Sequence, residues 1–202
     1  MKKHELRRQQ SKVRLKTQIL KTAEKIYVKE GFEAVTMRRI ADSVSYTATT
    51  LYLYFENRDA IFGELSKQSF DLLDASLAAA TRELDAMEAL RRGLEATMRF
   101  GLSQPNHFFL LFPFHPTTCN RIPQSEGTRI LQWFESKLQA ACLETRAQWI
   151  APARETASML LASVYGMVSL GAYMNEAQAF PTYKNGELLS KVLLGSLRKS
   201  IH

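Results

Sequence analysis

Residues 36–55 read TMRRIADSVSYTATTLYLYF, and this stretch decides the fold. Thr36 and Thr47 each precede a short run with helical apolar spacing, and a threonine hydroxyl caps a helix by accepting a backbone amide of its first turn. The two runs predict short helices over 37–44 and 48–55 with a tight turn between them. Such a pair is typical of a helix-turn-helix, which places its second helix in the major groove of DNA.

The flanking sequence predicts longer helices on both sides of this pair. Residues 15–30 have apolar side chains at spacings of three and four, which predicts an amphipathic helix that ends at Gly31 with a left-handed cap. Asn57 is placed to cap a fourth helix that runs to about Asp85. The apolar positions of the first helix are Leu15, Ile19, Ala23, Ile26 and Tyr27.

Composition and charge exclude several classes of protein. The chain has 202 residues, of which 46% are hydrophobic, so it can bury a core and is not disordered. Only 9 glycines and 6 prolines are present, which disfavours a β-sandwich or barrel. Residues 1–59 carry 13 Lys+Arg and 7 Asp+Glu, whereas the rest of the chain is near neutral. A basic first third favours a polyanion-binding module; the alternative is a solvated basic tail.

The chain shows no signal for export or for a membrane. Its longest apolar segment, near 159–174, is interrupted by polar residues and glycines, and falls short of a span of about 18 residues. Residues 1–16 are basic without an apolar core after them, unlike a secretory signal. Cys119 and Cys142 are expected to be reduced thiols in a cytoplasmic protein, with a disulfide as the alternative.

The residue types on the second short helix favour DNA contact. The small Ala48, Thr49 and Thr50 at its front allow close approach to base edges, and Tyr52 and Tyr54 reach phosphate oxygens. An ordinary three-helix core is the alternative. The predicted DNA-binding set comprises Thr36, Arg38, Thr47, Ala48, Thr49, Thr50, Tyr52, Leu53, Tyr54 and Arg58.

These residues also carry a family resemblance. Residues 15–73 resemble the N-terminal DNA-binding domain of TetR-type transcription regulators, above all in the run Thr50–Phe55 placed 14 residues after Thr36. The resemblance implies that Ala48 and Thr49 sit nearest the base edges. It places at phosphate-contacting positions Thr36, Thr47, Thr50, Tyr52, Leu53, Tyr54 and Arg58. The further matching positions are Ala23, Ile26, Tyr27, Gly31, Phe32, Ile40, Ala41, Asn57, Arg58, Asp59, Ala60 and Ile61.

Two positions depart from the family pattern. Ser45 stands where the family usually has glycine, which costs about 1 kcal/mol if the backbone there is left-handed. Thr49 stands where the family often has glycine beside a base edge, so the operator sequence is not transferable.

The predicted architecture is all-α and has two domains. A helix-turn-helix DNA-binding domain covers 13–73, and a helical domain for ligand binding and dimerisation covers 74–202. A basic arm at 1–12 precedes the first helix; it either contacts the DNA backbone or minor groove, or is a solubilising tail.

A cluster of prolines and aromatics at 103–123 predicts a loop or broken helices near a pocket for an apolar or aromatic small molecule. Charged residues are scarce among the predicted lining residues, which disfavours a highly charged ligand. Plain core packing is the alternative. The predicted lining is Phe100, Phe108, Phe112, Trp133, Met159, Tyr165, Met167 and Tyr173.

The last two predicted helices are candidates for a homodimer interface. In 153–175, Gly166 and Gly171 lower the helix propensity. The close approach of another helix would explain why glycine stands at these two positions. In 186–201, one apolar stripe is expected from Leu188, Val192, Leu193 and Leu197. The resemblance places the two-fold interface of TetR-like proteins here; a monomeric core is the alternative.

The sequence thus predicts a ligand-responsive homodimeric regulator, most simply a repressor that binds a palindromic operator. No enzyme or cofactor is expected. A metal-dependent enzyme using His107, His115 and Cys119 is a weaker hypothesis, because no carboxylate or second cysteine pair accompanies them. A non-specific architectural nucleic-acid-binding protein is the other alternative, and it would need charge spread more widely over the chain.

Overall fold

The computed structural model describes residues 2–112, 125–146, 148–173 and 186–197. These ranges are built from helices and contain no β-strand, so the all-α prediction is confirmed. The helices are α1 (Lys2–Glu30), α2 (Met37–Val44), α3 (Ala48–Tyr52), α4 (Arg58–Thr81), α5 (Ala86–Ser103), α6 (Pro105–Leu111), α7 (Ser125–Thr145), α8 (Ala153–Tyr173) and α9 (Gly186–Leu197), with a 3₁₀ turn at Phe32–Ala34.

The described chain forms two compact units, divided within α4. Unit 1 extends through Gln68, and unit 2 begins at Ser69. The division lies five residues before the predicted boundary at 73/74 and preserves the same order, a small N-terminal unit followed by a larger helical one.

Unit 1 closes around apolar side chains from α1, α2, α3 and the start of α4. Ile19, Ile40 and Leu51 are fully buried, one from each of the first three helices. The ring of Phe62 on α4 lies 4.4 Å from that of Phe32 and 5.6 Å from that of Tyr27. The predicted amphipathic face of the first helix is therefore the face that builds this core.

Three helix boundaries in the N-terminal half differ from the prediction. Helix α1 begins at Lys2, so the basic segment is part of the helix and not a separate arm before it. Helix α3 ends at Tyr52, because the amide of Leu53 bonds to the carbonyl of Thr50 and tightens the turn. Asp85 caps α5 by accepting from the amide of Glu88 at 2.9 Å, so α4 ends earlier, at Thr81.

Unit 2 packs its helices closely around an aromatic and aliphatic core. A Cβ on Gly93 of α5 would lie 2.3 Å from the Trp133 ring, and one on Gly101 would lie 2.4 Å from Val168. These two glycines let α7 and α8 side chains rest on the backbone of α5. Close packing of this kind accounts for glycines inside a helix, where they otherwise lower stability.

Two expectations for unit 2 need correction or lie outside the described ranges. Helix α6 confirms a broken helical region after 103, whereas residues 113–124 fall outside the description. Val192 is 56% exposed while Leu194 is buried and Leu193 half-buried, so the predicted stripe on α9 is divided between two faces. None of the helices in the described ranges is both long enough and apolar enough to cross a bilayer.

Candidate nucleic-acid interface

Helix α2 starts at the predicted cap. Thr36 has extended backbone, and its hydroxyl oxygen accepts from the amide of Arg39 at 3.2 Å. Met37, Ile40, Ala41 and Val44 face the core. Thr36 is exposed, and its hydroxyl is the acceptor in this bond. The hydroxyl can therefore still donate its proton to a phosphate oxygen.

The turn between α2 and α3 confirms the conditional prediction for Ser45. Its backbone is left-handed, with φ 60 and ψ 40, a conformation that costs a serine about 1 kcal/mol relative to glycine. The amide of Tyr46 bonds to the carbonyl of Ala41 at 3.0 Å, which closes the end of α2. The turn fixes where α3 starts.

Helix α3 is capped by a pair of threonines. The hydroxyl oxygen of Thr47 accepts from the amide of Thr50 at 3.2 Å, and the two hydroxyl oxygens lie 2.9 Å apart. This cap marks the N-terminus of α3, where backbone amides without a helical partner give a positive dipole end. An anion such as a phosphate is stabilised at such a terminus.

The remaining side chains of α3 divide into an anchor and an exposed face. Leu51 is fully buried and fixes the helix to unit 1. Thr49 is exposed, Tyr52 is 54% exposed, and Leu53 is 81% exposed. Ala48, Thr50 and Tyr54 are half-buried. Tyr52 at the end of α3 and Leu53 directly after it are large and apolar, and such exposed side chains indicate a contact surface rather than a core.

Arg58 differs from Arg38, the other arginine of the predicted set, because its guanidinium already has partners within unit 1. Its guanidinium carbon lies 4.2 Å from the centre of the Phe32 ring, and Nη1 donates to Glu33 at 3.3 Å. Its side chain is 18% exposed. These contacts attach the start of α4 to the 3₁₀ turn, and a phosphate contact by Arg58 stays a prediction.

The two arginines at the start of α2 have different surroundings. Arg38 is exposed, as a phosphate-contacting residue requires. Arg39 donates to Glu30 at the end of α1, and this hydrogen bond lowers the pKa of the Glu30 carboxyl and raises the pKa of Arg39. Arg39 therefore holds α1 and α2 together. Arg38 is the one of these two arginines whose charge is available to a phosphate.

Sequence reasoning missed one cation beside this surface. Lys16 of α1 donates from Nζ to Glu64 at 3.0 Å, and the same nitrogen lies 5.6 Å from the centre of the Phe55 ring. The spacing of Lys16 within α1 does not predict these two contacts, because both partners lie 39 or more residues away in the chain.

The N-terminal unit matches a known family. The profile for bacterial regulatory proteins of the tetR family covers residues 19–65, from the second half of α1 to the start of α4. This segment therefore matches the N-terminal domain of the TetR family. The match includes the threonine-capped α2 and α3, which supports their assignment as a DNA-binding helix-turn-helix.

One curated relative and several solved structures are similar to this chain. An uncharacterised HTH-type transcriptional regulator of Haemophilus influenzae is 29% identical over 68 residues, which are 34% of this chain and 36% of the relative. The chain thus matches about a third of that relative's length.

Two solved structures match nearly the whole chain. FadR, a fatty acid degradation regulator from Bacillus halodurans, has a TM-score of 0.73 at 15% identity, over 92% of this chain and 97% of its own. SmeT, the repressor of the Stenotrophomonas maltophilia efflux pump SmeDEF, has a TM-score of 0.68 at 18% identity, over 92% and 91%. At these identities the similarity establishes the fold of both units.

The predicted ligand-lining residues of unit 2 fall into three groups. Phe100, Phe108 and Phe112 are buried in the core. Trp133, Tyr165 and Met167 are half-buried and pack against that core. Met159 is 45% exposed on the outer face of α8, so it does not join the buried set, and the side chain of Tyr173 lies outside the description.

Phe108 lies at the centre of an aromatic cluster. The ring of Phe108 lies 5.1 Å from Phe112, 5.9 Å from Phe109 and 6.0 Å from Tyr165. A separate cleft of about 520 Å³ borders Cys142 and Trp149 and includes none of the predicted lining. The buried part of the predicted lining belongs to the core of unit 2, and a ligand contact by these residues stays a prediction.

The weaker metal hypothesis gains no support from the described ranges. His107 lies on α6 with Nδ1 3.0 Å from the hydroxyl of Ser69, whereas His115 and Cys119 fall outside the description. Among the residues that are described, no group of three or more His, Cys, Asp or Glu side chains is arranged to hold a metal ion.

Proposed function

We propose that the protein is a homodimeric transcriptional repressor that binds a palindromic operator and is released by an apolar small molecule. The observation that carries DNA binding is the exposed face of α3, where Thr49 and Tyr52 stand beside an N-terminus capped by Thr47. A helix fits the major groove, and its leading residues read base edges while flanking groups hold phosphates.

The outer face of α8 supports dimerisation. Met159, Ala162, Gly166 and Leu170 recur at spacings of three and four, and all four are exposed. A Cβ on Gly166 would meet nothing within 4 Å, so no contact inside the described chain accounts for this glycine. A stripe of small and apolar residues admits a second helix at close range. In a two-fold dimer this stripe would meet its own copy.

The interior of unit 2 supports an apolar effector. The cluster around Phe108 and Tyr165 is aromatic, and burying a charge beside it without a partner is costly. To release DNA, the effector must bind the DNA-incompetent state more tightly than the operator-bound state. SmeT, which shares this fold, is described as a repressor of a multidrug efflux pump.

The first experiment is selection of binding sites from random duplex DNA, followed by titration of the enriched sequence. We expect a palindrome bound about 10³-fold or more tightly than random DNA. Binding with a steep salt dependence but no enriched sequence would instead identify a non-specific architectural protein.

Two substitutions on α3 test the roles of its exposed side chains on the enriched operator. Tyr52→Ala should weaken binding to every duplex by a similar factor, because a phosphate contact carries no sequence information. Thr49→Val should change the preferred base, at a cost of about 1–3 kcal/mol on the parent operator. Two variants that bind the parent operator normally would show that α3 does not read the DNA.

The α8 stripe is tested with a charge at its glycine. Gly166→Arg should convert the dimer to a monomer in sedimentation and abolish preference for a palindrome over a half-site. Leu143→Arg, at a position 85% exposed on α7, adds the same side chain away from the stripe and should leave the dimer intact. A wild-type chain that sediments as a monomer would refute this interface.

The effector class is tested by release of the labelled operator with a panel of uncharged aromatic and aliphatic compounds, beside charged analogues. Release by the uncharged members alone is expected. Release by only the charged analogues would contradict the apolar site.

A further inference from the structure

The N-terminal half of α1 extends beyond the core of unit 1. Leu15 is the first buried residue of the helix, and every residue from His4 to Arg14 is exposed. At 1.5 Å per residue, this exposed segment is about 16 Å long. Residues 4–16 hold five Lys or Arg and one Glu, so the extension is strongly basic.

The cations of this extension lie on two different faces. Arg8, Lys12 and Lys16 follow one another at intervals of four and form one row, the Lys16 row. Arg7 and Arg14 are seven residues apart and lie on the opposite side, in line with Lys21. Within the described ranges, Arg7, Arg8, Lys12 and Arg14 make no ion pair or hydrogen bond through their side chains.

The Lys16 row leads to the residues that follow α3 in the helix-turn-helix. Lys16 sits over the ring of Phe55, three residues beyond the end of α3, and is bonded to Glu64 of α4. Arg8 and Lys12 continue this row outward along α1 from that contact. Arg8 and Lys12 thus lie on the same face of α1 as a lysine packed against Phe55, and within the described ranges their charges have no partner.

We propose that Arg8 and Lys12 bind phosphates of the operator backbone outside the base pairs read by α3. This inference rests on the proposed DNA binding and adds phosphate positions to it. Arginine and lysine pair with phosphate by charge, and the counterions that they release make affinity depend on salt. The row carries no base-reading function, so it lengthens the footprint and strengthens binding without changing sequence preference.

The test compares two double variants of the full chain on the selected operator. Arg8→Gln with Lys12→Gln should flatten the plot of log affinity against log salt by about 0.9 for each phosphate that the variant no longer neutralises. It should also shorten the footprint at its outer edges and leave the selected sequence unchanged. Arg7→Gln with Arg14→Gln removes the same charge from the opposite face and should keep the wild-type footprint and most of the slope.

Glutamine keeps a high helix propensity, and circular dichroism verifies that both variants retain α1. Equal flattening by both pairs would mean a diffuse charge effect and would overturn the assignment to the Lys16 row. An unchanged slope in both would also overturn it, and binding of the wild type to vesicles of anionic lipid would then assign the extension to membranes. Failure of the wild type to bind any duplex would instead refute the proposed function.

Discussion

The two units of the chain place their distinctive side chains in opposite environments. In unit 1 the candidate residues of α3 are on the surface, around a single buried anchor, Leu51. In unit 2 the candidate residues around Phe108 are in the interior. A surface that contacts DNA is already formed when the unit folds, whereas an apolar effector has to compete with the packing of the core. The two sites therefore differ in what a substitution does first: it changes binding in unit 1 and stability in unit 2.

The largest effect is expected from truncation of the aromatic cluster. Phe108 is fully buried between Phe112 and Tyr165, and Phe108→Ala should lower the free energy of unfolding by about 3–5 kcal/mol. Both tryptophans of the chain, Trp133 and Trp149, lie in unit 2, so denaturation followed by tryptophan emission reports on that unit.

Leu143→Ala is the matched control, because Leu143 is 85% exposed and should change stability by less than about 0.5 kcal/mol. A Phe108 variant with unaltered stability would mean that the ring lines an open cavity, and the contrast between the units would then disappear.

Local signals explain why unit 1 was the more predictable. The caps at Thr36 and Thr47, the left-handed turn and the buried face of α1 each depend on residues a few positions apart. The short α3 is the exception, since its end depends on how the chain turns to place Phe55 in the core, which no local pattern indicates.

Lys16 and the aromatic cluster of unit 2 show that contacts between residues distant in the chain cannot be predicted from sequence patterns. Lys16 reaches Phe55 and Glu64 across the fold, and its spacing in α1 is that of any solvent-facing lysine. In the same way, an aromatic residue shows the same helical spacing in the sequence whether it lines a pocket or fills a core. Met159 shared that pattern with Phe108 and lies on the surface. Only the packing of helices distant in sequence separates these cases.

A smaller effect is expected at the turn that joins α2 to α3. Ser45→Gly should stabilise unit 1 by about 1 kcal/mol, because glycine adopts the left-handed conformation without steric cost. Hydrogen exchange of the α2 and α3 amides in the full chain measures this as slower opening.

Ser43→Gly provides the control, two residues earlier and inside α2. There glycine replaces a serine whose hydroxyl bonds to the carbonyl of Arg39, and it should destabilise the helix by about 0.5–1 kcal/mol. The same replacement thus has opposite signs at the two positions. Equal effects at both would show that the backbone of Ser45 is not strained.

The smallest effect compares one carboxyl from each unit. In unit 2, a hydrogen bond from Arg91 holds the pKa of Glu88 below its usual value, as Arg39 does for Glu30 in unit 1. A pKa that is lower in the folded state stabilises the fold above the unfolded pKa, and this stabilisation is lost as pH falls through the folded pKa.

Arg91→Gln should raise the pKa of Glu88 only in part, because Arg92 also donates to Glu88 at 3.0 Å, whereas Arg39→Gln should return Glu30 close to its ordinary value. Carbon-13 NMR titration of the two carboxyls measures both shifts. The exposed fraction of the Glu88 side chain, 33%, limits its contribution to stability to about 1 kcal/mol or less. If Glu88 rose as far as Glu30, Arg92 would contribute nothing, and the carboxyls of the two units would be held in the same way, each by one arginine.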